Sequence, residues 1–185
     1  MHEDIKEVLY TEEAIRARIA ELGAQITRDY AGDRLVLMAM LKGGLMLISD
    51  LVRCIPSKLE IEFIQPSSYG AGTESSGTVD IKLFPSCDLR GKRLLLLDDI
   101  LDTGRTLKRV SDALRDRGAD DIRTCVLLDK KARRAVEIEA DYVGFEVDDH
   151  FVVGYGLDFA DHYRNLPYIG VLHERCYAGG QAEQI

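Results

Sequence analysis

Runs of apolar residues alternate along the chain with segments whose apolar positions recur at helical spacing. LVLMAM (35–40) and LLLL (94–97) are apolar at every position, which is typical of strands buried on both faces of a parallel sheet. LVLMAM is followed by the turn LKGG and then by the helical pattern LMLISDLVRCI (45–55). This order predicts a strand, a glycine turn and a helix.

Two further segments have a clear helical period. Thr11 is suited to cap a helix whose first turn carries two glutamates, and the apolar residues that follow are Ile15, Ile19, Leu22 and Ile26. A second helix follows LLLL, with Leu107, Val110 and Leu114 on one face, and ends at Gly118, a residue suited to the left-handed conformation past a helix end. Both apolar faces are expected to contribute to the core.

Other segments alternate like strands with one solvated face. KLEIEFI (58–64) and VDIKLF (79–84) flank the Gly- and Ser-rich stretch 67–79, so they are expected to pair as a hairpin. IRTCVLL and DYVGFEV supply two more strands later in the chain. Alternation of strands and helices predicts an α/β fold, a doubly wound and mostly parallel sheet flanked by helices. The stretch 67–79 is either a disordered surface loop or a lid over a site.

Composition narrows the class of protein. A chain of 185 residues with 46% hydrophobic content suits one folded domain, residues 1–185. The net charge of -8 disfavours a nucleic-acid or anionic-membrane surface, and no apolar run approaches the roughly 18 residues of a membrane-spanning helix. The four cysteines form no CxxC pair and the N-terminus lacks the apolar stretch of a signal peptide. We therefore expect a cytoplasmic protein.

The stretch LLLLDDILDTGRTL (94–107) holds the main candidate chemistry. Ligands of open α/β sheets bind beyond the carboxyl ends of the strands, where Asp98 and Asp99 are expected to stand. Gly104 lets the backbone approach an anion, the next helix presents its positive N-terminus, and Thr103 and Thr106 add hydroxyl donors. Two carboxylates beside an anion cradle suit a phosphorylated ribose whose diol, or an accompanying magnesium ion, faces the acids.

Other interpretations of this stretch stay open at this point. DTG is also the signature of aspartic proteases, but that mechanism needs two copies and the chain has one. A receiver domain uses an acidic pair at a strand end, but nearer the start of the chain. A strand that ends in solvated aspartates before a capped helix would also give this pattern without any function.

LLLLDDILDTGRTL resembles the ribosyl-pyrophosphate signature of the type I phosphoribosyltransferases. LKGG (41–44), SSY (67–69), LLDKKARR (127–134) and the segment 141–172 resemble the hypoxanthine and hypoxanthine-guanine branch of that family, in order and with similar spacing. The resemblance covers roughly residues 35 to 172, and four motifs in order are more specific than one. It implies a fold with a small hood and a flexible lid loop, and magnesium-dependent transfer from 5-phosphoribosyl 1-pyrophosphate to a 6-oxopurine in purine salvage.

The resemblance also implies a role for each matched residue around the ribose. Asp98 and Asp99 would hold the ribose hydroxyls and contribute to a magnesium site, although this branch more often has Glu at the first position. Asp102 would act at the purine N7 as a general base or transition-state stabiliser. The residues that would hold the 5-phosphate are Thr103, Gly104, Arg105 and Thr106.

Three further groups of residues are matched. Lys42, Gly43 and Arg164 would bind pyrophosphate, with an unusual peptide in LKGG that turns backbone N–H groups toward it. Ser68 and Tyr69 would belong to the lid. The base would be bound by Lys130 through its O6, by the Phe151 ring, by the backbone at Val152, and near Asp158, which would also bind magnesium.

The family forms dimers and tetramers, so a homodimer or homotetramer is expected. A different class is a phosphoribosyltransferase-like protein that has become an RNA-binding regulator, as in the pyrimidine attenuation family. The acidic balance of the chain and the segment FVVGYGLD (151–158) weigh against that alternative.

Overall fold

The computed structural model describes residues 1–66, 81–83, 85 and 87–178. The α-helices of this part of the chain are α1 (Glu12–Asp29), α2 (Leu45–Leu51) and α3 (Arg105–Arg115). Its strands are β1 (Ile5–Tyr10), β2 (Leu35–Met40), β3 (Leu59–Pro66), β4 (Ile81–Leu83), β5 (Arg93–Leu101), β6 (Asp121–Asp129), β7 (Tyr142–Glu146), β8 (Val152–Val153) and β9 (Ile169–Leu172). Short 3-10 turns follow α2, β6 and β9.

The main sheet has the strand order β4-β3-β2-β5-β6-β7. The neighbours from β3 to β7 are parallel, and β4 joins the edge antiparallel to β3, as the predicted hairpin requires. The prediction of a doubly wound, mostly parallel α/β sheet is confirmed. The parallel strands all point their carboxyl ends to one edge, which is where a ligand site belongs in such a sheet.

Two apolar layers cover the main sheet, one on each face. Alternate residues of β2 serve the two layers: Leu35 and Leu37 pack with α1 and α2, whereas Val36 and Met38 pack with α3. Every residue of β2 is buried, and full burial of a Val or Leu side chain contributes about 1.5–3 kcal/mol. The continuous apolar runs of the sequence thus correspond to central strands.

The ends of α1 and α3 agree with the residues predicted to cap or terminate them. Thr11 Oγ1 accepts a hydrogen bond from Ala14 N at 3.2 Å, as predicted, and Gly118 adopts a φ of +91° after α3. The predicted helix 45–55 is shorter in the structure, because α2 ends at Leu51 and a 3-10 turn of Val52–Cys54 follows.

A second, antiparallel sheet in the order β1-β9-β8 forms a hood. Its own small core contains Ile5, Val153 and Leu172, while Val152 and Ile169 belong to the core layer beneath α1. The hood is therefore packed onto the main sheet's core. No helix in the described ranges is long and apolar enough to cross a membrane.

Candidate active site

The two adjacent acids lie inside β5. We expected Asp98 and Asp99 just past the strand end, but β5 continues to Leu101. The reason is that β6 pairs with β5 as far as Leu101↔Asp129, whereas β2 stops pairing at Ala39↔Leu97. The acids are thus held by one neighbouring strand and open on the side where β2 has ended.

The acids repel one another in a half-buried position. Burial, together with the charge of Asp99, raises the pKa of Asp98 well above its usual range, and burial also raises the pKa of Asp99. Backbone N–H donors partly offset this: Asp99 N donates to Asp98 Oδ1 at 3.0 Å and Ile100 N donates to Asp99 Oδ1 at 2.9 Å. Hydroxyl donors of a sugar, or a cation, would stabilise the ionised pair.

The LKGG loop comes directly against these acids. A Cβ atom on Gly43 would lie only 1.9 Å from Asp99 Oδ2, so the approach requires a residue without a side chain. The Leu41–Lys42 peptide is cis, which is the unusual peptide expected in this loop. The structure therefore brings together two motifs that are more than fifty residues apart in sequence.

The turn after β5 has the backbone conformation that a phosphate cradle at the N-terminus of α3 would need. Gly104 has a φ of +80° and precedes the first residue of α3, and a Cβ atom there would lie 2.5 Å from Ile138 Cγ2. A cavity of about 300 Å³ is lined by both acids and by the turn. Its lining residues in the turn are Asp102, Thr103, Gly104 and Thr106. Arg105 begins α3 with an exposed side chain.

The two carboxylate oxygens of Asp102 have different surroundings. Among the described residues its Oδ1 atom is buried and has no hydrogen-bond partner. Its Oδ2 atom lies 3.7 Å from Arg133 Nη1. A buried acceptor without a partner costs free energy, so Asp102 is suited to accept a proton or hydrogen bond from a ligand in the cavity.

The two candidate pyrophosphate cations are brought together by a residue to which the sequence analysis gave no role. Asp161 Oδ1 lies 2.8 Å from Lys42 Nζ and 3.3 Å from Arg164 Nη2. Arg164 Nη2 is also 2.6 Å from Asp158 Oδ1, and its Nη1 donates to Gly156 O at 2.7 Å. Asp161 lies in a segment without periodicity, so only the tertiary structure reveals this contact.

The expected magnesium ligands are not gathered into one cluster. In the portion that the structure describes, no three His, Cys, Asp or Glu side chains lie close enough together to hold a metal ion. Asp158 pairs with Arg164, while Asp98 and Asp99 face the cavity. Asp98, Asp99 and Asp158 as magnesium ligands therefore stay a prediction, in which oxygens of the bound substrate would complete the coordination.

The base-side residues lie at the ends of β6 and β8. Lys130 follows β6 and is only 5% exposed; its Nζ donates to His150 O at 2.6 Å and lies 3.5 Å from Asp149 Oδ1. Phe151 is 38% exposed, whereas Val152 is buried in β8. The sequence LLDKKARR contains two neighbouring lysines, and nothing in it indicates that the first of them, Lys130, is buried.

The C-terminal segment contacts Phe151. Tyr177 stacks on Phe151 with ring centroids 4.9 Å apart, since the turn after β9 packs on the hood core. Residues 179–185 lie outside the described part of the chain, as do the expected lid residues Ser68 and Tyr69.

Comparison with known proteins agrees with this geometry. Residues 7–160 match the family model described as a phosphoribosyl transferase domain, and the chain belongs to the phosphoribosyltransferase family. A hypoxanthine-guanine phosphoribosyltransferase from Streptococcus pneumoniae is 46% identical over 178 residues, which cover 96% of this chain and 99% of the relative. One from Staphylococcus aureus is 48% identical with the same coverage.

Solved structures give the same result. A crystal structure of a hypoxanthine phosphoribosyltransferase from Staphylococcus aureus has a TM-score of 0.90 and 48% identity, and covers 96% of each chain. Within its family this chain is therefore a member of the hypoxanthine-guanine phosphoribosyltransferase branch, and it is a transferase.

Proposed function

We propose that this enzyme transfers the 5-phosphoribosyl group from 5-phosphoribosyl 1-pyrophosphate to hypoxanthine or guanine. The bond from ribose C1 to pyrophosphate breaks, a bond from C1 to the purine nitrogen forms, and the base loses a proton. The products are pyrophosphate and the nucleotide IMP or GMP. The names of relatives that are 46–48% identical to this chain support this choice of substrates.

The observation that carries the proposal is the unpartnered carboxylate oxygen of Asp102. The residue lines a cavity that is also lined by the Asp98–Asp99 pair and the turn at Gly104, and its unpartnered oxygen is buried. A ribose held by the acid pair, with its phosphate at the N-terminus of α3, would present C1 near Asp102. Asp102 would then accept a proton or hydrogen bond at the purine N7 while positive charge develops on the sugar.

Lys42 and Arg164 are suited to the leaving pyrophosphate. Both are cationic, and both already contact one carboxylate, that of Asp161. Charge-assisted hydrogen bonds to phosphate are among the stronger polar contacts. Gly43 of the LKGG loop lies so close to Asp99 that a Cβ atom would not fit there, so the loop backbone is next to the acid pair.

Magnesium would be the cofactor. The donor set fits a hard cation, because Asp98 and Asp99 offer adjacent carboxylate oxygens. Burial raises the pKa of both groups, and the charge of Asp99 raises that of Asp98 further. Ribose and pyrophosphate oxygens would supply further ligands, and Asp158 would contribute after release from Arg164. When bound, the ion would neutralise charge on the pyrophosphate.

We further propose that residues 1–185 form one phosphoribosyltransferase domain that works in the cytoplasm as a homodimer or homotetramer. The four cysteines are free, which fits a reducing compartment. One solved relative, from Trypanosoma cruzi and 39% identical, was studied for the role of its C-terminal region in oligomeric state and activity.

Replacing Asp102 tests the proposed chemistry. Asp102→Asn keeps the shape of the side chain but removes its basicity, so turnover of hypoxanthine should fall on the order of 100 to 10,000-fold. The matched control is Asp120→Asn, a change of the same charge at an exposed aspartate before β6, which should retain wild-type turnover. Full activity of Asp102→Asn, with an unchanged melting temperature, would remove Asp102 from the mechanism.

A further inference from the structure

Asp161 sits between the two cations that the proposed function assigns to pyrophosphate. Its Oδ1 accepts from Lys42 Nζ at 2.8 Å and from Arg164 Nη2 at 3.3 Å. Lys42 comes from the loop after β2 and Arg164 from the hood, so this single oxygen bridges two separate parts of the fold. One anionic oxygen shared by two cations resembles the contact that a phosphate oxygen would make.

The backbone holds Asp161 in this position. Ala160 and Asp161 both have left-handed conformations, with φ values of +51° and +66°, which are uncommon for residues other than glycine. The turn is closed by Asp161 N, which donates to Asp158 Oδ2 at 2.9 Å. The hydrogen bonds from Lys42 and then from Arg164 lower the pKa of Asp161, so its carboxylate is anionic at neutral pH.

The contact is also easy to separate. The side chains of Lys42 and Asp161 are 57% and 66% exposed, and ion pairs this exposed contribute roughly 0–1 kcal/mol. Arg164 Nη2 also contacts Asp158 Oδ1, at 2.6 Å, so Asp161 is the more distant of its two carboxylate partners. A ligand with several negative charges would outcompete Asp161 for Lys42 and Arg164. Asp161 would remain beside that ligand as a like charge.

We propose that Asp161 is an internal stand-in for pyrophosphate. Its carboxylate pairs with Lys42 and Arg164 in the empty site, is displaced when pyrophosphate binds, and so weakens the affinity of the site for pyrophosphate. This inference rests on the proposed function, and it adds a residue that adjusts how readily the product leaves. A purely supporting role, in which Asp161 holds the cations in place for the ligand, would have the opposite effect on affinity.

Binding of inorganic pyrophosphate distinguishes the two roles. The dissociation constant would be measured by calorimetry with magnesium present, for wild type, Asp161→Asn and the control Asp120→Asn, which changes the net charge equally. Asp161→Asn should bind pyrophosphate about tenfold more tightly at low salt, because a like charge close to a multiply charged ligand is removed. The gain should shrink as salt is added, and the control should match wild type.

Two further variants separate failure of this inference from failure of the proposed function. Lys42→Met and Arg164→Met should each weaken pyrophosphate binding, and Asp161→Asn should gain less in the Lys42→Met background than in wild type. If both cation variants weaken binding but Asp161→Asn is unchanged or weaker, the stand-in role is wrong and the pyrophosphate site stands. If neither cation variant weakens binding, the proposed pyrophosphate site is wrong and the inference fails with it.

Discussion

Lys130 shows most clearly how one side chain could select the base. An ammonium group that is almost fully buried is costly unless it is hydrogen-bonded, and its contacts are His150 O at 2.6 Å and Asp149 Oδ1 at 3.5 Å. Lysine has three donors and no acceptor. A donor beside Phe151 would favour a purine with an oxo group at C6 over one with an amino group, such as adenine.

Substitution of Lys130 should therefore weaken binding of the purine base and leave binding of 5-phosphoribosyl 1-pyrophosphate largely unchanged. Lys130→Ala is expected to raise the KM for hypoxanthine by on the order of 100-fold, because a charged hydrogen bond is lost, with little change in the KM for 5-phosphoribosyl 1-pyrophosphate. Steady-state kinetics with each substrate varied in turn would measure this. The control is Lys131→Ala, since Lys131 is exposed and pairs with Glu146. Equal losses for both substrates would contradict a role at the base.

At the scale of elements, the segment after β6 supports the turn after β5. Ala135 N donates to Thr103 O at 3.0 Å, and Arg134 Nε donates to Asp102 O at 3.2 Å. Arg134 also pairs with Asp129, which is 1% exposed. The guanidinium of Arg134 thus links Asp129, at the end of β6, to the backbone of Asp102, the candidate general base. We therefore expect Arg134 to position Asp102 without touching the substrate.

A double variant separates this positioning role from stability. Arg134→Met alone should destabilise the protein by about 3–5 kcal/mol, because the buried Asp129 carboxylate loses its partner. Asp129→Asn combined with Arg134→Met should recover most of that loss, yet turnover should stay about tenfold below wild type since Asp102 O has lost its donor. Thermal unfolding and kcat would be measured together. Wild-type kcat in a stable double variant would leave Arg134 with a structural role only.

At the scale of the whole molecule, the sheet was predictable because its strands are locally distinctive. LVLMAM coincides with β2, and the alternating segments around 67–79 pair as β3 and β4. The cap at Thr11 was also predictable, since capping depends on neighbouring residues alone. β1 was not predicted: IKEVLY becomes a strand only by pairing with β9, more than 150 residues later.

Some features of the candidate site were likewise predictable from the sequence, and others were not. The motif around Asp102 gave the turn and its position before α3, and the resemblance to a family indicated the unusual peptide at Leu41–Lys42. The contact of Asp161 with Lys42 and the burial of Lys130 depend on distant segments meeting. No local sequence pattern indicates contacts between distant segments, so these features required the tertiary structure.

The most direct test of the central claim, that this site joins a 6-oxopurine to phosphoribosyl, is an assay of nucleotide formation. The purified protein would be given 5-phosphoribosyl 1-pyrophosphate with hypoxanthine, guanine, xanthine, adenine or uracil, each with and without magnesium. We predict rapid formation of IMP or GMP that requires magnesium, weaker discrimination against xanthine, and adenine use lower on the order of 10,000-fold. Adenine used as readily as hypoxanthine, or activity with uracil alone, would contradict the account.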